Sequence, residues 1–337
     1  MIPLHRLPER AVDIVLRNMT TMNQFLLSLY YDHVKSRIKS FDIGIDLKFT
    51  IVIRDYFWMC ISDPDHNFLT FTFYTLKDGT LFRQEGEPKR SFSENDLVSI
   101  SFDGDDRIYG WTFEAQKSAR QWILLIIEVF NLKKIDDLKY ETDDYCFDSV
   151  KDMLKGIPLE RLNITGDEAA RNYDGILKTV PPCTHLVQET NPGEKFRSVL
   201  LQNFESLRAS LLNFSELLII NSKFLSIYGE KFTIKNMNTF LKLWRKGSNP
   251  NAKHFSMSWV PIPDNDDIMN VLKAIPYEAI PDAVERLFLR FPFSLPVTYE
   301  KIRGGFDIKR MTDGRKATVK LHGRLGSFSF ELFVWDE

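Results

Sequence analysis

The side chains with the best prospect of chemistry are two acidic clusters and one thiol–imidazole pair. Asp103-Gly104-Asp105-Asp106 and Asp264-Asn265-Asp266-Asp267 have the oxygen density that a hard cation requires. A calcium loop counted from Asp103 closes correctly on Glu114. It also puts Arg107 at a ligand position and Ile108 where the sharp turn needs glycine. The same count from Asp264 ends on Ile275, which has no oxygen to offer. Both clusters therefore read as solvated loops. Cys183 and His185 stand two residues apart, but nothing supplies the third group that would orient a base, so they read as a strand-edge pair. The remaining histidines are scattered, and none stands at metal spacing with a cysteine or carboxylate pair. A Walker loop, a dinucleotide fingerprint, HExxH and a GxSxG elbow are all missing. The expectation is a chain with no catalytic residues, no cofactor and no metal.

Composition narrows the partners. The 337 residues are 44% apolar and 13% aromatic, enough to bury a substantial core in two or three units. Forty-four basic against 46 acidic residues leave a net charge of −2, which gives no electrostatic case for nucleic acid or an anionic membrane. Cys60, Cys146 and Cys183 are odd in number and far apart, so neither a disulfide framework nor a paired zinc motif follows, and a reducing compartment is expected. The N-terminus lacks the basic start and apolar run of a signal peptide. The longest apolar run, Trp122 to Ile127, is far short of a membrane span. The expectation is a soluble intracellular protein, cytoplasmic or nuclear.

With no reacting centre to position, the elements must position surfaces, and the first forty residues are the most telling. Pro8 suits the start of a helix. From there Leu7, Ala11, Val12, Ile14, Val15, Leu16 and Met19 sweep roughly 200°, about twice a single-faced stripe. Thr20 or Thr21 can cap a second helix, whose apolar set is Met22, Phe25, Leu26, Leu27, Leu29, Tyr30, Val34 and Ile38. Two short helices apolar on two sides cannot satisfy both sides with each other. One face must meet a partner or the rest of the chain.

Leu4-x-x-Leu7-Pro8-Glu9, Val15-Leu16 and Phe25-Leu26-x-Ser28-Leu29 resemble an F-box. That resemblance implies a three-helix motif docking on the Skp-type adaptor of a cullin-RING ubiquitin ligase. Position by position, it implies an adaptor contact made by Pro3, Leu4, Leu7, Pro8, Val12, Val15, Leu16 and Met19. Tyr30-Tyr31 departs from the family, which usually has a small or polar residue there.

Residues 43–133 read as a β-rich segment ending in a helix. Ile43 to Arg54 alternates, with Ile45, Leu47, Phe49, Ile51 and Ile53 on one face. Tyr56 to Ile61, Phe68 to Leu76 and Leu97 to Phe102 are further strands, Asp78-Gly79 is a hairpin signal, and Lys117 to Phe130 is helical. The aromatic residues here, and Cys60, read as sheet core.

Residues 134–263 alternate strand-like pieces at 137–140, 159–164, 184–187, 206–209, 224–227 and 254–257 with helical pieces at 148–154, 168–177, 196–201 and 234–244. Leu138, Leu162, Leu186, Leu207, Leu225 and Phe255 recur every eighteen to thirty residues. That is close to the leucine-rich-repeat period, without its asparagine ladder. A single α/β domain with parallel strands would give nearly the same pattern. Lys235, Lys242, Arg245 and Lys246 read as a solvated helix face rather than a nucleic-acid patch.

A second resemblance covers about 200–260. Ser215-Glu216-Leu217-Leu218-Ile219-Ile220-Asn221-Ser222, Asn238-Thr239-Phe240-Leu241-Lys242-Leu243-Trp244 and Lys246-Gly247-Ser248-Asn249-Pro250 are similar to the type-two F-box-associated domain. The resemblance implies that this part engages a target protein.

In the tail, 264–337, a helix is expected from Asp264 to Ile275, ended by Pro276. Leu287-Phe288-Leu289 among Pro281, Pro292 and Pro296 is expected as an irregular connector. A hairpin over 306–321 and a strand from Ser327 to Trp335 close the chain as a cap. The expected fold is thus α+β or α/β: a helical F-box (1–42), a β-rich segment, an irregular leucine-rich-repeat-like array and C-terminal antiparallel strands. The expected function is that of a substrate receptor in a Skp–cullin–F-box ligase, with cullin reached through the adaptor. The alternative is a non-catalytic repeat-type scaffold with no ligase role. If Val12, Leu16 and Met19 are buried against the body, the scaffold gains.

Overall fold

The computed structural model describes residues 7–42, 44, 46–54, 56–64, 67–74, 89, 97–104, 107–114, 117–142, 144–188, 200–210, 213–228, 232–261, 268–290, 298–324 and 327–336. The chain is α+β. It divides into two compact units, Met1–Asn163 with Gly175–Cys183, and Ile164–Asp174 with Thr184–Glu337, each holding a mixed sheet.

The first unit begins with three helices. α1 (Glu9–Arg17) follows Pro8, whose carbonyl accepts from the Ala11 and Val12 amides. α2 (Thr21–Tyr30) is capped by Thr20 Oγ1, 3.3 Å from the Asn23 amide. The run expected as one helix to Ser40 breaks at Tyr31, which is extended at φ −136°, and restarts as α3 (Asp32–Ser40). Asp32 then lies in a first turn, where its charge complements the helix dipole.

The unit continues with β1 (Lys48–Ile53), β2 (Phe57–Ser62), β3 (Phe68–Tyr74), β4 (Leu97–Gly104), β5 (Arg107–Glu114), α4 (Ala119–Phe130), β6 (Ile135–Tyr140), α5 (Phe147–Leu154) and β7 (Leu159–Ile164). Their order is β5-β4-β3-β2-β1-β6-β7. The first five strands form an antiparallel meander. α4 then returns the chain so that β6 pairs parallel with β1. Ser118 and Gln121 form a capping box at the start of α4, and Asn131 ends it in the left-handed region. β5 is not anticipated by the sequence reading; Arg107 and Glu114 lie within it, in extended backbone. Ile43, Ile45 and the Asp78-Gly79 turn lie outside the described residues.

After β7 come α6 (Asp167–Arg171) and α7 (Tyr173–Thr179), which replace one expected helix and meet at Asn172. The second unit's strands and helices are β8 (His185–Gln188), β9 (Ser206–Ser210), α8 (Phe214–Ile219), β10 (Phe224–Tyr228), α9 (Ile234–Arg245), β11 (His254–Pro261), β12 (Glu278–Arg290), β13 (Thr298–Lys309), β14 (Lys316–Arg324) and β15 (Ser327–Val334). Their order is β8-β9-β10-β11-β15-β14-β13-β12. β8 to β11 are parallel, and β15 joins β11 antiparallel. Leu186, Leu207, Leu225 and Phe255 share one rung, which Leu332 extends. Phe240 of α9 covers it, 4.5 Å from the Phe255 ring centre.

Two expectations for the tail are corrected. Leu287-Phe288-Leu289 is strand, part of the thirteen-residue β12. Pro281 fits because β12 is an edge strand and its register shifts between Ile280 and Glu285, and edges and bulges tolerate proline. The expected helix to Ile275 is only a 3₁₀ turn, Ile268–Leu272, among the described residues. Ala274 follows it at φ 58°, and the Asn238 amide group takes the Val271 and Lys273 carbonyls. Residues 196–199 of another expected helix lie outside the description.

Candidate protein-docking surfaces

α1 is apolar on two sides, and the structure separates them. Val12 is 7% exposed and Leu16 fully buried. α1 packs on α3, whose Val34 and Ile38 are also buried. Arg37 of α3 ties the pair by reaching Glu9 at 3.0 Å and Asp13 at 2.8 Å, and buried Gln24 Nε2 donates to the Leu16 carbonyl at 2.9 Å. α2 faces the sheet instead. Phe25 lies 5.0 Å edge-on to Phe71 of β3, and 6.0 Å from Phe130 of α4.

The other side of α1 is left open. Pro8 is exposed, Leu7, Ala11, Val15 and Met19 are half-buried, and Ile14 is 63% exposed. Ala11, Ile14 and Val15 stand at helical spacings of three and four and so form one stripe, with Leu7 just before the helix. Of the residues expected to make the adaptor contact, Val12 and Leu16 turn inward as α1 sits here, while Ile14, which belongs to the same apolar set, is exposed. Pro3 and Leu4 lie outside the described residues. Tyr30, 79% exposed, and Tyr31 add aromatic surface at the α2–α3 junction.

In the second unit one of the strings resembling the F-box-associated domain begins in α8, and the other two build α9 and its exit loop. Thr233 and Asn236 cap α9 reciprocally, and Phe240, Leu241 and Trp244 are buried. Gly247 leaves the helix at φ 103°, where a Cβ would lie 3.0 Å from Thr312. Arg310, 2% exposed, covers Trp244 and reaches the Asn249 and Pro250 carbonyls and Asp313. The Met311 amide donates to Arg245 O, and Arg245 Nε donates to Lys309 O. The loop is thus held by the β13–β14 hairpin.

Several ionisable groups are shifted by burial. Asp136 and Asp137 of β6 have carboxyls pushed up by desolvation. Asp136 accepts from the Phe49 amide, and Asp137 feels the charges of Arg161, Lys139 and Lys48. Burial pushes the Cys60 thiol up and that of Cys183 to about 12, the reverse of what a thiolate nucleophile needs. His185 Nδ1 is occupied by Ser206 Oγ at 2.9 Å. Among the described residues no three His, Cys, Asp or Glu side chains converge to hold a metal, and no helix is long and apolar enough to cross a membrane.

Comparison with known proteins places the clearest likeness on the clamped helix and loop. Residues 195–257 match the family described as F-box associated. Over 341 aligned positions, 95% of this chain and 94% of the relative, it is 22% identical to the Skn-1 dependent zygotic transcript 15 protein of Caenorhabditis elegans. No solved structure matches the chain significantly.

Proposed function

We propose that this chain is the substrate-recognition subunit of a Skp–cullin–F-box ubiquitin ligase. In this reading residues 1–42 are the F-box, and the open stripe of α1 docks on the Skp-type adaptor by apolar burial, with Pro3 and Leu4 extending the contact. The second unit holds a target protein. The chain supplies no catalytic residue; it makes ubiquitin transfer by other subunits effectively intramolecular. The observation that carries the reading is the stripe itself. A helix tied down by Val12 and Leu16 on one side still shows Ala11, Ile14 and Val15 on the other, and residues 195–257 match the family described as F-box associated.

A repeat-type scaffold with no ligase role is the second reading, and a specific observation favours it. Val12 and Leu16 are buried, and Phe25 fastens the helices to the sheet. Co-expression with a Skp-type adaptor separates the two. The ligase reading requires a one-to-one complex that Ile14→Glu disrupts, and the scaffold reading requires a chain that ignores the adaptor.

A further inference from the structure

The C-terminal strands of the second unit do more than close the sheet. β12 and β13 curl over its face, so that Phe288 lies 5.0 Å from Phe333 of β15 and 5.8 Å from His254 of β11. The curl is held on the same side of β12, where Arg286 and Phe288 both lie against Trp335. Arg286 makes two hydrogen bonds to Asp307, of 3.0 and 3.1 Å. Thr318 accepts from Arg286 and from Trp335 Nε1 and donates to Asp307. These bonds tie β12 and β13 to β14 and to Trp335.

Between this hairpin and the starts of β9, β10 and β11 lies a groove of about 440 Å³. Its floor includes Phe224 and Phe288, and Leu287, Leu289 and Tyr299 line its apolar side. These three are 61%, 44% and 70% exposed, and Leu289 pairs directly across from Tyr299. Three large apolar side chains left in water beside a preformed groove mark a surface meant to be covered. The opposite rim is charged in a fixed order along the strand starts: Glu205, Lys223, Lys253, Asp336. The outer carboxylates hold the inner ammoniums at 3.1 and 2.8 Å. Lys223 and Lys253 are backbone neighbours, joined by a 2.7 Å hydrogen bond. Each ammonium has three donors and stays nearly half exposed. The centre of the rim is therefore positive and able to donate, and its ends are negative.

We propose that this groove docks an extended protein segment carrying a carboxylate flanked by large apolar side chains. The carboxylate meets the Lys223–Lys253 pair, and its apolar neighbours cover Leu287, Leu289 and Tyr299. The acidic ends of the rim reject a longer acidic run, so a single carboxylate is selected over a polyanion such as nucleic acid. This rests on the target-holding part of the function proposed above and is independent of α1.

The test is to pan a random nonapeptide display library on the full chain and on a Leu287→Ser, Tyr299→Ser double variant, whose changed side chains face solvent. The proposal expects enriched peptides that share one acidic residue between apolar ones. A labelled representative should bind about tenfold more weakly to Lys253→Glu and not at all to the double variant. No enrichment, enriched peptides without the acidic residue, or equal retention by the double variant would overturn it. Adaptor binding, read separately by chromatography, stands or falls on its own.

Discussion

The guanidinium of Arg310 lies 4.4 Å above the ring of Trp244, so a residue outside the F-box-associated match covers a buried tryptophan within it. The same side chain holds the Asn249 and Pro250 carbonyls and Asp313. The matched segment is therefore incomplete without the β13–β14 hairpin. Its loop residues Lys246-Gly247-Ser248-Asn249-Pro250 are explained by a structural clamp rather than by contact with a ligand.

Replacing Arg310 by alanine should remove the ring contact and the hydrogen bonds to Asn249, Pro250 and Asp313, at a cost of about 1–3 kcal/mol. The Pro250 carbonyl keeps Arg315 and the Asn249 carbonyl keeps the Ala252 amide. Lysine should rescue little, because a point charge cannot stack flat and donate to both sides. Urea unfolding of the three proteins measures this. An Arg310→Lys variant as stable as wild type would remove the clamp argument.

Phe25 is the nail between the helices and the first unit's sheet, buried against Phe71, Trp122 and Phe130. Phe25→Ala should cost about 3–5 kcal/mol and raise protease cleavage in residues 9–40. Unchanged proteolysis would mean that α1 and α3 stay docked without it.

Part of this architecture is legible in the sequence, and the reasons are local. The strands from 185 to 261 are legible because an apolar residue recurs in each, and Leu186, Leu207, Leu225 and Phe255 share a rung. β12 is hidden because Pro281 argues against a strand, and only an edge position with a register shift makes it acceptable. The break at Tyr31 carries no glycine or proline to mark it. On α1 the apolar arc shows that two faces exist, but the choice of inward face depends on Val34, Ile38 and Arg37 of α3. That is a tertiary matter, so the sequence leaves open whether Val12 and Leu16 face inward.

The Asp137 carboxyl gives a pH dependence with a definite sign. Burial raises its folded-state pKa above the unfolded value, so the native state holds a proton that the unfolded chain releases. This contribution is fully present below the unfolded value, near 3.9, and is lost as pH rises through the folded one. Asp137→Asn should give a melting temperature that falls less between pH 4 and 7. A variant that tracks wild type in parallel would show that neighbouring charges cancel the burial.

Cys183, with its thiol pushed up to about 12 by desolvation, should alkylate more slowly at pH 8 than the same residue in denaturant, since less of it is then thiolate. Mass spectrometry after iodoacetamide treatment reads this directly. Equal rates folded and unfolded would contradict the burial described for it.

The most direct test of the proposed function is size-exclusion chromatography after co-expression with a Skp-type adaptor. Wild type, Ile14→Glu and Lys151→Glu, the last a surface control on α5, would be run together. The receptor account predicts a one-to-one complex for wild type and the control, weakened at least about tenfold by Ile14→Glu. Wild type eluting free of adaptor, or Ile14→Glu binding as tightly as the control, would contradict it.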